Sequence, residues 1–170
     1  DFSKAQHYVV GYNIQFKQNW NFKIEAYYQS LYAIPVSAST KTSFSLINQE
    51  DNYVIAALSN KGRGKNYGVE ITLERFWNDQ FYFLSTLSLY QSKYQASDLI
   101  WRNTRFNSNS ILAVTMGKEW NLHTKKTSTI ALDLKVTNHG GVRVTPINLQ
   151  QSILRKTTVL DNTRIYEERL

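Results

Sequence analysis

The chain contains 170 residues with a formal net charge of +7, no cysteine and 14% aromatic residues, of which Tyr is the most frequent. The lack of cysteine excludes a disulfide framework, a thiolate metal site and a cysteine nucleophile, and no apolar run approaches the roughly 20 residues of a membrane-spanning helix. Lys and Arg are dispersed except at 61–65 and 125–126. Because this pattern is more typical of a solvated surface than of a nucleic-acid-binding stripe, nucleic acid is not an expected partner.

Alternation of apolar and polar residues predicts the first pair of strands. One face of segment 8–16 carries Tyr, Val, Ile and Phe, and segment 22–32 repeats the pattern after a polar turn at 17–19. A period of two is typical of a β-strand with one apolar face. We expect these segments to form a hairpin, followed by a long polar loop over about residues 37–66.

A second hairpin is expected where the alternation resumes. Segments 69–77 and 81–94 each place aliphatic or aromatic residues on one face, and Asn78-Asp79 between them predicts a tight turn. Residues 95–107 lose the pattern, which predicts a second long loop.

The third hairpin follows the same plan. Segments 112–120 and 130–137 alternate, with a turn at about 121–125, and residues 138–170 are expected to form a third long loop. Short and long connections therefore alternate along the chain. Outer-membrane barrels show this alternation, because their periplasmic turns are short and their extracellular loops are long.

Three further features favour a membrane barrel. The expected strands have roughly 10 to 13 residues, enough for a tilted crossing of the hydrocarbon. Ionisable residues lie on the polar face, as a water-filled lumen allows: Glu25, Glu70, Glu74, Asp133 and Lys135. Aromatic residues gather beside the short turns, where an interfacial girdle is expected: Trp20, Phe22, Trp77, Phe81 and Trp120.

The sequence contains no pattern typical of catalysis or metal binding. Its three histidines lack the spacing of metal ligands. Glu70 and Glu74 would lie about 13 Å apart on a strand, too far for a retaining carboxylate pair. Residues 62–65 lack the spacing of a phosphate-binding loop, so we interpret them as a flexible loop that returns into a strand, where Gly68 eases close packing. We therefore expect no enzymatic activity, no cofactor and no metal.

Five segments, in chain order, carry a family resemblance: Glu25-Ala26-Tyr27-Tyr28-Gln29, Gly64-Lys65-Asn66-Tyr67-Gly68-Val69-Glu70, Arg102-Asn103-Thr104-Arg105-Phe106-Asn107, Gly117-Lys118-Glu119-Trp120 and Gly140-Gly141-Val142-Arg143-Val144-Thr145-Pro146-Ile147. They resemble barrel strands of TonB-dependent outer-membrane receptors of the Bacteroidetes type. The similarity extends in order over residues 7–170.

The resemblance implies a 22-stranded barrel with an N-terminal plug in the bacterial outer membrane. Such receptors take up scarce ligands, such as iron chelates, vitamins, peptides or oligosaccharides, with energy passed from the inner membrane through TonB. It predicts that residues 1–170 form about six strands of an antiparallel transmembrane β-barrel, from the C-terminal part of that barrel.

The chain also departs from the family. It contains no TonB box, plug or signal peptide, and it stops at Glu167-Glu168-Arg169-Leu170, where the family continues with further strands. Six strands cannot close a wide barrel, so we expect a piece of a longer protein. The expected partners are outer-membrane lipid, the rest of the barrel and plug, TonB through the N-terminal part, and a surface lipoprotein.

Loop aromatics are the candidates for ligand contact, because they are free of the alternating apolar faces. These candidates are Tyr53, Trp101 and Phe106. Two alternatives stay open: a soluble carbohydrate-binding β-sandwich, whose strands would alternate in the same way, and a structural subunit of a larger outer-membrane complex.

Overall fold

The computed structural model describes residues 2–17, 19–49, 54–123 and 127–170. Most of these residues lie in antiparallel β-structure. The elements in chain order are β1 (Lys4–Phe16), β2 (Trp20–Ser37), a 3-10 turn (Leu46–Asn48), β3 (Leu58–Asn78), β4 (Phe81–Gln95), β5 (Trp101–Asn103), β6 (Ser110–His123), β7 (Thr127–His139), β8 (Arg143–Val144), α1 (Leu149–Arg155) and β9 (Glu168–Arg169).

One large sheet dominates the fold. Its strands follow the order β1-β2-β3-β4-β6-β7, and β5 pairs with the end of β4, while β8 and β9 form a separate two-stranded sheet. Every pairing in both sheets is antiparallel. The prediction of an antiparallel all-β fold with about six long strands is therefore confirmed for the described residues. None of these residues forms a helix with both the length and the apolar composition needed to cross a bilayer.

The strand register places most apolar residues of the six long strands on one face. Directly opposed residues of antiparallel strands point to the same side of a sheet. Val10 opposes Ala26, Ala26 opposes Val69, and Val69 opposes Leu89. Across the other half of the sheet, Val114 opposes Val136. The period-two pattern of the sequence thus becomes one apolar face and one polar face.

The long strands are joined by short and long connections in turn. The turn between β3 and β4 consists of Asp79 and Gln80, with φ of 51° and 59°. Positive φ at both central residues is what a two-residue type I′ hairpin turn requires. Long connections cover 38–57, 96–109 and 140–170. The predicted turns at 17–19 and 121–125 each include residues outside the described part of the chain.

The predicted 37–66 loop is wrong in its second half, because β3 begins at Leu58. Residues 62–65 lie inside this strand and are not a flexible loop. Gly62 is buried, and a Cβ there would lie 2.8 Å from the carbonyl oxygen of Ile34. Exposed Arg63 faces the other way. The buried side here is the one that carries Glu70 further along β3, and glycine lies on it instead of an apolar side chain. The hydropathy signal of the strand therefore disappears.

The predicted 95–107 and 138–170 loops contain more regular structure than expected. The first holds β5, and the second holds β8, α1 and β9. In α1, the Asn148 side chain accepts a 3.0 Å hydrogen bond from the Gln151 N–H, and Lys156 ends the helix with φ of 50°. Elements of two to seven residues are too short to show a period in the sequence.

Very little of the chain is buried. Among the described residues, the buried hydrophobic side chains are Ile34, Val36, Tyr94 and Ala96. The accessible surface is 11986 Å², whereas a compact monomer of this size exposes about 8,600 Å². The described residues therefore form a single layer, with no second sheet across the apolar face.

Candidate functional site

The exposed apolar face is the largest feature of the sheet. Val10, Tyr12 and Leu132 on it are 71%, 60% and 64% exposed. From Tyr8 to Phe16 the apolar band extends eight residues, or about 27 Å along the strand, and six strands span about 24 Å. A continuous face of about 650 Å² exceeds the largest apolar patch of a typical soluble monomer. We call this surface the apolar band.

Aromatic residues line the end of the apolar band beside the short turns. Phe16 stacks on Trp20 with ring centroids 6.2 Å apart, and Trp20 lies 6.2 Å from Phe83. The Arg75 guanidinium lies 5.9 Å from the Trp20 ring and 5.0 Å from the Phe81 ring. The Trp20 indole has an apolar ring with a polar N–H, and Arg75 has an apolar stem with a charged end, so both suit a boundary between an apolar and an aqueous phase.

Tyrosines mark the other end of the apolar band. Tyr8 opposes Tyr28, and Tyr28 opposes Tyr67. The rings of Tyr28 and Tyr67 stack with centroids 6.4 Å apart. The apolar band is thus bounded by aromatic residues on both ends, about eight residues apart along the strands.

The opposite face is polar and carries acidic groups. Glu25 opposes Glu70 in the register, and Glu25 pairs with Lys23 at 2.6 Å. Ser88 Oγ donates a 3.3 Å hydrogen bond to Glu70 Oε1. A shallow hollow of about 300 Å³ lies beside Glu25 and Glu70. None of the described residues forms a group of three His, Asp or Glu side chains that could hold a metal.

Close strand contact on the polar face depends on glycine. A Cβ at Gly68 would lie 2.5 Å from the Leu89 carbonyl oxygen and 2.8 Å from Tyr90 Cβ. The expectation that Gly68 allows close packing is therefore confirmed. Gly117 has a similar position, because Tyr82 opposes it from β4 and Asp133 opposes it from β7.

The described parts of the three long connections, 38–49 with 54–57, 96–109 and 140–170, pack together at the other end of the sheet, and we call them the loop layer. A small core joins the loop layer to the ends of β2 and β4: it contains Val36, Tyr94 and Ala96, with Ile47 and Tyr166 packed against them. Two β-irregularities in β2, around Ile34, redirect side chains toward this core. Burial raises the pKa of the Tyr166 hydroxyl, while nearby Arg105 acts in the opposite direction.

Asn107 and Arg143 link the parts of the loop layer. Asn107 is fully buried, and its Nδ2 donates to Gln91 Oε1 at 3.2 Å and to Asn103 Oδ1 at 2.9 Å. The Arg143 guanidinium donates to the Asn107 carbonyl at 3.1 Å, to Asn109 Oδ1 at 2.6 Å and to the Glu167 carbonyl at 2.9 Å. Burial and neighbouring Arg169 lower the Arg143 pKa. This cation is a structural clamp between two loops.

A cleft of about 900 Å³ opens in the loop layer. Three arginines lie along it, and the remaining walls are mainly aliphatic. Arg164 is held by Glu167 at 3.1 Å and Glu168 at 3.3 Å. The arrangement can accept a ligand with apolar and anionic parts. Sequence reasoning missed the cleft, since its residues come from segments without periodicity.

The predicted ligand-contact residues do not form one cluster. Tyr53 lies outside the described residues. Trp101 is 41% exposed in β5, with Lys65 Nζ 4.4 Å from its ring centroid. Phe106 is 43% exposed, and its carbonyl accepts a 3.2 Å hydrogen bond from Tyr90 Oη. Within the described part of the chain, no ring contact joins these two aromatics, and neither lines the cleft.

Comparison with known proteins adds no relative. No protein-family model, no curated protein and no solved structure matches the chain. Any functional conclusion therefore depends on the geometry of the sheet and on the sequence resemblance.

Proposed function

We propose that the chain forms part of the wall of an antiparallel transmembrane β-barrel in the bacterial outer membrane. The observation that carries this proposal is the apolar band, which is continuous across six strands and uncovered. In water such a face would cost about 25 cal/mol for each Å² left exposed. Lipid tails cover it at no such cost, and the band of about 27 Å along the strands fits an outward apolar band about 25 Å tall.

The unpaired sheet edges support the same proposal. The outer edges belong to β1 and β7, each 13 residues long, and all described side chains of both strands are exposed. Soluble proteins shorten, bend or cover such edges because they template aggregation. In a closed barrel the edges pair with further strands. A soluble sandwich would need a second sheet packed across the apolar band, and the described residues place none there.

We further propose that this barrel belongs to a TonB-dependent receptor that takes up a scarce ligand. The resemblance of the five sequence segments supports this assignment, and the 22-strand count, the plug, TonB and a surface lipoprotein follow from it alone. The loop layer would contribute to ligand recognition, with its cleft between Arg105 and Arg164 as one contact region. Its role would be binding and passage, with no bond made or broken, so no cofactor is needed.

Detergent dependence tests the membrane proposal most directly. The protein is compared in plain buffer and in maltoside micelles by circular dichroism and by analytical ultracentrifugation. We expect dispersed, β-rich protein only in micelles, since they replace lipid along the apolar band. A monomer that folds cooperatively in plain buffer would overturn the proposal and favour the soluble binding module.

A further inference from the structure

Four cations lie together on the apolar side of the sheet, just beyond its tyrosine boundary. Lys65 of β3 lies two residues, or about 7 Å, past Tyr67 on the same face. The register places Lys93 directly opposite Lys65. In the next row, Lys4 opposes Tyr32 and Tyr32 opposes Arg63. We call these four residues the basic belt: Lys4, Arg63, Lys65 and Lys93.

The basic belt lacks acidic partners within the described part of the chain. None of its four cations forms an ion pair with a described carboxylate. Asp98, on the loop that follows β4, pairs with Arg102 at 2.7 Å. Glu167 shares a small hollow with Lys93, but its carboxylate is 3.1 Å from Arg164. The described carboxylates therefore do not neutralise these cations.

Opposed lysines are unfavourable in a sheet unless an anion compensates them. Like charges directly opposite on one face destabilise a strand pair. Lys65 has a compensating contact, with its Nζ 4.4 Å over the Trp101 ring. Trp beside Lys, at the end of an apolar band, is the composition expected at the level of lipid headgroups.

We propose that the basic belt binds the phosphate groups of anionic lipids at the end of the apolar band nearest the loop layer. This inference rests on the proposed function, because it requires lipid against the apolar band. Charge complementarity and position favour a lipid headgroup as the occupant. A phosphate group at this level reaches the cations while its acyl chains continue along the apolar band.

The test measures lipid binding by native mass spectrometry of the natural gene product in maltoside micelles. The probes are phosphatidylglycerol and phosphatidylcholine. The belt variant carries Arg63→Gln, Lys65→Gln and Lys93→Gln. The control variant removes the same charge elsewhere through Lys41→Gln, Lys135→Gln and Arg155→Gln. Each surface cation contributes about fivefold to binding of anionic lipid, so the belt variant should lose on the order of a hundredfold of its phosphatidylglycerol preference, and the control variant should lose little.

Single substitution at Lys93 gives an independent signature. Lys93→Gln should raise the unfolding midpoint in micelles with phosphatidylcholine, because it relieves repulsion from Lys65. In micelles with phosphatidylglycerol the same substitution should lower it relative to the natural protein. Because this variant changes one residue, the opposite shifts of its unfolding midpoint in the two lipids still test the basic belt if the triple variant does not fold.

The outcomes separate the two proposals. Folding as a monomer without micelles would overturn the membrane wall and the basic belt together. Folding only in micelles, with equal phosphatidylglycerol binding by the belt and control variants, would overturn the basic belt alone. Displacement of phosphatidylglycerol by inorganic phosphate or a single-stranded oligonucleotide at equal concentration would also overturn it, since the lipid would not be the preferred occupant.

Discussion

Tyr82 Oη donates a 2.8 Å hydrogen bond to Asp133 Oδ1 across Gly117, which lies between them in the sheet. A Cβ at Gly117 would collide with the Tyr82 ring and the Asp133 carboxylate. The contact joins β4 to β7 over the intervening strand β6. It therefore stiffens the polar face of the last three long strands.

Gly117→Ala tests this bridge. The added methyl group should displace the Tyr82 ring and destabilise the protein by about 1–3 kcal/mol, as overpacking does at other tight sites. The measurement is the free energy of unfolding by urea in micelles. Gly11→Ala is the matched control, because there a Cβ would meet the Glu25 side chain at 3.0 Å, and that side chain can move. Equal losses for both variants would show that Gly117 has no special position.

Arg143 should be required for the joined loop layer. Arg143→Ala removes three hydrogen bonds, to the Asn107 carbonyl, to Asn109 Oδ1 and to the Glu167 carbonyl. It should lower the free energy of unfolding by about 3 kcal/mol because hydrogen bonds from a charged donor are strong. Arg143→Lys should rescue little, since one ammonium cannot match the fork of a guanidinium. Protease cleavage within 140–170 in increasing urea measures the effect. Arg155→Ala, on exposed α1, is the control and should change nothing.

The long strands were predictable because alternation is a local property of the sequence. Segments such as 8–16 and 69–77 carry their apolar residues at every second position, and the register then aligns them on one face. The first third of β3 was not predictable in the same way. Its covered face carries Gly62 and Gly64, whose neighbours are Ile34 and Ile47 from distant parts of the chain.

The loop layer was beyond prediction for a related reason. Asn107 is fully buried, and Arg143, 36 residues further along, donates a hydrogen bond to its carbonyl. Such a polar pair has no period and no local signal. Trp101 and Phe106 were identifiable as loop aromatics, but β5, which places Trp101 in a strand beside β4, has three residues and is too short to show a period.

Acid should loosen the loop that carries Asp98. Burial alone would raise the Asp98 pKa, but hydrogen bonds from the Arg102 guanidinium and the Ile100 N–H outweigh it and hold the pKa below its usual value. A lowered folded-state pKa means that the stabilisation is complete above the unfolded pKa, near 4, and is lost as pH falls through the folded value. Protease sensitivity of residues 96–109 should therefore rise in acid below about pH 4.

Asp98→Asn provides the comparison for this pH effect. The variant cannot form the charged pair with Arg102, so its loop should be more sensitive to protease at neutral pH and should show a smaller change on acidification. Asp161→Asn controls for general loss of an acidic side chain, since Asp161 bonds within its own turn to Thr163. An unchanged acid response in Asp98→Asn would contradict the assignment of the effect to this ion pair.

Paired arginine substitutions distinguish a membrane wall from an exposed soluble sheet. Ile71 lies in the middle of the apolar band, and its neighbour Thr72 points to the polar face. Against lipid, Ile71→Arg should cost about 2–4 kcal/mol because the charge enters the hydrocarbon, whereas Thr72→Arg should cost far less in a water-filled lumen. The measurement is the free energy of unfolding in phosphatidylcholine vesicles. On a sheet whose apolar face contacts water, Ile71→Arg would instead stay within about 0.5 kcal/mol of the natural protein. Whether Ile71→Arg lowers the free energy of unfolding more than Thr72→Arg therefore decides whether lipid or water covers the apolar band.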